Sequence, residues 1–198
     1  MSDISRRSLI TTAATVAFVP VSAFTGVAQT KAPETALSAA QMKTLEAFID
    51  RLIPKDELGP SGVEAGAQIY IDRVLAGQNA GEKQSFTEGL AALDDFAKRT
   101  QGAPMAELSA EKRDAVLTAM DNGQAEGWSG SRAWFNRARR LSIEGMFGDP
   151  YYGGNKNFAG WDLIRYPGPR PAVSPEEQKM SVPAKPYRVS AYGTRYGH

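Results

Sequence analysis

Proline cannot continue a helix or sit within a central strand. It has no backbone N–H, and its ring clashes with the preceding turn. Seven of the twelve prolines in this 198-residue chain lie between Pro150 and Pro186. Residues 148–198 therefore cannot hold a long helix, and they are far more chain than the usual connection of about 4–6 residues needs. Such a segment is either disordered or laid across a surface. Tyr151, Tyr152, Trp161 and Tyr166 argue for the second, because disordered segments are poor in aromatics.

Upstream the pattern is the opposite. Ser38 is a good N-cap for "AAQMKTLEAFIDRLIP", where Met42, Leu45, Ile49 and Leu52 recur at helical spacing, Phe48 broadens the stripe and Pro54 ends it. A second helix is expected from about Val63 to Leu75, with Val63, Ala67, Tyr70 and Val74 on one face. A third is expected over Glu82 to Thr100, aligned on Phe86, Leu90, Leu93 and Ala97. Ser109 caps a fourth carrying Val116, Leu117 and Met120. Ser131 opens a fifth, "SRAWFNRARRLSIEGMF", with Trp134, Ala138, Leu141 and Gly145 in one stripe and Arg132, Arg137, Arg139 and Arg140 mostly off it. No alternating strand pattern appears. The expected fold is all-α: a bundle of about five helices over residues 38–147, then a long non-helical Gly/Pro/aromatic-rich arm and tail over 148–198.

The N-terminus reads as an address. "SRRSLI", Ser5 to Ile10, resembles the twin-arginine export signature, with Arg6 and Arg7 as the pair and Leu9 and Ile10 as the apolar positions. The apolar run from Leu9 to Val21 is too short and too polar for a membrane span, and small residues offer cleavage after Ala28 or Ala23. Residues 1–30 are expected to be a signal peptide and 31–37 a linker. A bacterial leader of this kind implies a periplasmic mature protein.

Composition removes most chemistries. There are 23 basic and 22 acidic residues, without the basic excess of a nucleic-acid binder. No cysteine is present, which excludes disulfides, thiolate metal sites and attached c-type haem in this chain, and the single histidine is the last residue, His198. No Ser/His/Asp set can form around an internal histidine. There is no dinucleotide or phosphate-loop glycine motif. The carboxylates Glu144, Asp149 and Asp162 remain as the only acid–base candidates near the glycine-rich stretch, although Gly-Asp and Asp-Pro are common turn formers. A second alternative is a sugar-binding module holding its ligand between Trp161 and Tyr166.

The stretch from Gly148 to Pro171, "GDPYYGGNKNFAGWDLIRYPGPRP", is the most distinctive. Its "DPYYGGN" and "GWDLIRYPGP" resemble the signature of the gluconate 2-dehydrogenase subunit 3 family. "FIDRLIPKDELGPSGVEAGAQIYIDRVL", Phe48 to Leu75, is similar to that family's N-terminal helical segment. One departure is Arg165, where the pattern has glycine. The resemblance implies a small subunit with no catalytic residue and no cofactor or metal of its own. It implies a large FAD-containing catalytic partner of the glucose–methanol–choline oxidoreductase type, with electrons often passing to a multihaem cytochrome c subunit carrying haem c. It further implies that the small subunit stabilises the large one and, through the twin-arginine translocase, exports both to the periplasm, at the inner membrane. On that reading Asp149, Pro150, Tyr151, Tyr152, Gly153, Gly154, Asn155, Trp161, Tyr166, Pro167 and Gly168 would form the partner-binding arm, with the aromatics as anchors.

Overall fold

The computed structural model describes residues 35–191. Among these residues the architecture is all-α, with no strand. Six helices follow one another: α1 Ala39–Leu52, α2 Ala67–Ala76, α3 Lys83–Gln101, α4 Ala110–Asp121, α5 Ser131–Phe147 and α6 Ala159–Leu163. No helix among the described residues is long and apolar enough to cross a membrane. The expected export pair, Arg6 and Arg7, lies outside the described residues.

The first helix starts where expected. Ser38 Oγ accepts from the Gln41 N–H, and the Gln41 side chain accepts from the Ser38 N–H, a reciprocal capping box. The second helix starts four residues later than its apolar spacing suggests. Residues 62–66 form a turn, and Gly66 stands at φ +81°, a left-handed conformation that no helix interior contains. Val63 still packs against the core from that turn. Serine caps α4 as expected, through Ser109. The sixth helix was not expected.

The core lies where the five long helices converge. Phe48 of α1 is fully buried, and its ring meets Trp134 at 5.4 Å and Phe135 at 5.7 Å, both edge-on. Leu45, Ile49, Ile71, Leu75, Leu90, Leu93, Met120 and Leu141 are fully buried with it. Each is worth about 1.5–3 kcal/mol relative to exposure. Buried carboxylates and hydroxyls tie elements together, whereas Gln68 Oε1 and Arg170 Nε are buried without a partner among the described residues. Asp72 Oδ1 accepts from the N–H groups of Ala36 and Leu37, both at 2.8 Å, so the described end of the expected linker is pinned to α2. Asp94 ties α3 to its surroundings, accepting from Thr44 Oγ1 at 2.8 Å and from the Met105 N–H at 2.9 Å. The Arg51 guanidinium grips Asp114 with two bonds of 2.7 and 2.8 Å and clips α1 to α4.

Candidate partner-binding surface

Every helix leaves its last four carbonyls without intrahelical partners. At the end of α5 those partners come from residues 148–161. Asn155 donates its backbone N–H to Gly145 O (2.7 Å) and its Nδ2 to Gly148 O (2.7 Å), and its Oδ1 accepts from the Gly160 N–H (2.8 Å). The indole Nε1 of Trp161 donates to Phe147 O at 2.9 Å. The next residue, Lys156, donates its backbone N–H to Ala65 O at 2.8 Å, tying the loop to the turn before α2. Asn155 is completely buried at φ +47°, a conformation that asparagine tolerates better than most side chains. The "GGN" sequence is thus a helix C-cap made from distant residues.

Two glycines make this closeness feasible. A Cβ on Gly154 would stand 2.1 Å from Gly145 O, and one on Gly160 would stand 1.9 Å from Met146 O. Both obstacles are backbone, so neither can swing aside. The backbone that both glycines approach is that of α5.

Asp149 caps a 3-10 turn over Pro150–Tyr152, accepting from the Tyr151 N–H at 2.9 Å. Its other oxygen accepts from the Ala191 N–H at 2.7 Å. Asp162 pairs with Arg188 at 2.6 Å. The third carboxylate, Glu144, accepts from the Tyr70 hydroxyl at 3.0 Å and faces Arg140 at 3.7 Å. Burial first, and then the Glu144 charge, push the Tyr70 phenol up to about 12. All three acid–base candidates therefore serve as anchors in the fold, two of them holding the returning tail. That tail also pairs Tyr187 N–H with Pro167 O and the Arg170 guanidinium with Lys185 O.

The eleven residues expected to bind a partner divide by exposure. Pro150, Gly154, Asn155, Trp161 and Gly168 are buried; Asp149, Tyr152, Gly153 and Pro167 are half-buried; Tyr151 and Tyr166 face outward at 47% and 43%. Trp161 packs between Phe158 (5.3 Å) and Tyr166 (5.0 Å, nearly perpendicular). The two rings expected to hold a sugar touch each other, so the slot between them does not exist. Phe158, which the sequence reading passed over, is fully buried at φ +61°. Only the demand of α5 for cap partners could have pointed to it and to Gly160. Arg165 also stands at φ +57°, so the backbone keeps the left-handed path that a glycine would take.

A family model described as Gluconate 2-dehydrogenase subunit 3 matches residues 39–168, well over half of the chain. It spans α1 through α6 and ends at Gly168, before the returning tail. No curated protein and no solved structure matches the chain.

Proposed function

The chain belongs to the gluconate 2-dehydrogenase subunit 3 family, and from that premise we propose that it is the non-catalytic small subunit of a periplasmic, membrane-associated dehydrogenase complex oxidising a sugar or sugar acid. In this reading a large partner subunit carries FAD and performs the oxidation. Where the complex has a cytochrome c subunit, that subunit accepts the electrons. The small subunit binds and stabilises the flavoprotein and carries it across the inner membrane on its own leader.

The observation that carries the reading is the match over residues 39–168 to a family named as a dehydrogenase's third subunit. Composition supports it: a chain with no cysteine and a single, terminal histidine is poorly equipped for redox or general-base chemistry. The engagement of Glu144, Asp149 and Asp162 in structural bonds points the same way. An obligate pair of this kind is expected to bury about 2,000 Å² or more in total.

Two measurements test it. The purified chain, alone, should elute from gel filtration without flavin absorbance and without dehydrogenase activity, whereas the chain co-expressed with the flavoprotein should elute with it as one active species. Flavin retained by the isolated chain would overturn the non-catalytic role. Replacing Arg6 and Arg7 together by lysine keeps the charge and removes the guanidinium forks. Both subunits should then remain in the cytoplasm, read by fractionation with an activity assay. Undiminished periplasmic activity in that strain would overturn export on this leader.

A further inference from the structure

Two segments that lie about a hundred positions apart in the sequence meet on one face. The turn-rich connection after α1 and the segment around the short helix α6 line an open hollow of about 470 Å³, with Leu58, Pro60, Ala159 and Leu163 as its apolar wall and Asn157, Asp162 and Arg165 at its polar edge. Leu58 of that wall is 74% exposed, and Ile164, the chain neighbour of the wall residue Leu163, is 55% exposed. A single exposed leucine is ordinary. A leucine this exposed that also forms the apolar wall of a hollow is not.

The hollow is built on strained backbone. Left-handed non-glycine residues bracket α6, with Phe158 at φ +61° on one side and Arg165 at φ +57° on the other. Such conformations persist only where the surroundings over-determine them. Here Asn155, Gly160 and Trp161 lash the segment to the end of α5. The result is a rigid display of Leu163, Ile164 and Arg165, and rigidity before binding reduces the entropy lost on binding.

Charge selects the partner's chemistry. The carboxylate of Asp162 is already engaged by Arg188 at 2.6 Å. The Arg165 guanidinium makes no ion pair or side-chain hydrogen bond among the described residues, and its side chain is exposed. The edge of the hollow therefore offers one uncompensated cation beside an apolar wall. Its complement is an apolar side chain with a carboxylate next to it, and the planar guanidinium fork suits that carboxylate in bidentate fashion.

Resting on the small-subunit reading, we infer that this hollow seats an apolar side chain, flanked by an Asp or Glu, of the FAD-carrying subunit, and that Arg165 is the residue that reads the flanking charge. The occupant is that subunit, not a second copy of this chain.

The test uses the full chain and the flavoprotein subunit, identified by its FAD spectrum, with affinity measured by titration at low and high salt. Arg165→Gly should leave the isolated chain at least as thermostable as wild type, because it relieves the left-handed strain. It should weaken the complex at least about tenfold and flatten its salt dependence. Arg165→Glu should weaken it further, Arg165→Lys should retain part of the affinity, and Leu58→Ser should lose about tenfold. If wild type binds and all four variants bind within about twofold of it, the hollow is not the contact, while the small-subunit reading stands. If wild type binds no flavoprotein, the small-subunit reading itself falls. If the wild-type chain instead self-associates and Leu58→Ser abolishes this, the occupant is a second copy and the assignment is overturned.

Discussion

The five-helix body and the segment 148–168 are held together by opposite means. In the body, large side chains fill space: Phe48 against Trp134 and Phe135, with leucines and isoleucines layered around them. In the segment, missing side chains let backbone touch backbone, at Gly154 on Gly145 and at Gly160 on Met146, and polar atoms close the end of α5. The difference concerns tolerance. A packed core accepts another apolar side chain of similar volume, whereas a backbone-to-backbone contact has no room for one added atom.

The largest expected effect follows from that contrast. Gly160→Ala would place a Cβ 1.9 Å from a helix carbonyl and should destabilise the chain by about 4 kcal/mol, among the severe single substitutions. Leu93→Met, in the fully buried core layer, should cost under about 1.5 kcal/mol. Gly81→Ala meets nothing within 4 Å and should stay within about 0.5 kcal/mol of wild type. Urea denaturation of the three variants checks the order. A Gly160→Ala no worse than Leu93→Met would erase the distinction between the two regions.

Next comes Asn155→Ala. It leaves the Gly148 carbonyl and the Gly160 N–H without the bonds of 2.7 and 2.8 Å that they have now. Unmade buried bonds cost about 1–3 kcal/mol each, partly recovered by relaxation, so about 2–3 kcal/mol is expected. The loss should appear first as faster amide exchange in residues 145–161 rather than in α1 or α3. Uniform loss of protection across both regions would mean that the cap and the body unfold as one unit.

This contrast also explains what the sequence disclosed. Five helices were legible because apolar side chains at spacing 3.6 announce the face they bury, as with Leu45, Phe48 and Ile49 or Trp134, Ala138 and Leu141. The start of α2 was not, since nothing in the apolar spacing reveals that Gly66 is left-handed. Helix α6, Ala159–Leu163, is too short to show a period and sits among glycines and prolines. The segment's special character was plain from composition, but its role was not. A glycine that requires close backbone approach does not say whose backbone approaches. Asn155, read as part of a partner-binding arm, and Trp161, read as one of its anchors, both bond the chain's own helix end, and the exposed Leu58 carried no periodic signal at all.

A smaller effect separates the regions by pH. The Arg51 guanidinium hydrogen-bonded to Asp114 holds that carboxyl below its usual value, against a modest opposing effect of burial. A depressed carboxylate stabilises the fold above its unfolded value of about 3.9, and the contribution fades as pH falls through the lower folded value. Because Asp114 is half exposed, Asp114→Asn should cost only about 1 kcal/mol at neutral pH. It should also flatten the acid limb of the stability curve below about pH 4. The acid limb is read by thermal melts from neutral to acid pH, monitoring α1 and α4. An acid limb unchanged by this substitution would mean that the Arg51–Asp114 pair does not set the acid response.

The smallest effect sets one left-handed residue of each region against the other. Helix α3 ends on Gly102 at φ +88°, where open space surrounds the missing side chain, and α6 is followed by Arg165 at φ +57°. The backbone makes the same demand twice and receives glycine in the body and arginine in the segment. A left-handed non-glycine residue costs about 1–2 kcal/mol, while glycine forfeits about 0.4–1 kcal/mol by loosening the unfolded chain. Arg165→Gly should therefore stabilise the isolated chain by about 0.5 kcal/mol, and Gly102→Ala should destabilise it by about the same amount. Paired thermal melts on the isolated chain resolve a difference of opposite signs. If Arg165→Gly destabilises instead, the arginine stem already contributes more to the free fold than its strained backbone costs. Relief of strain could then no longer explain why an arginine at this position needs a partner to be favourable.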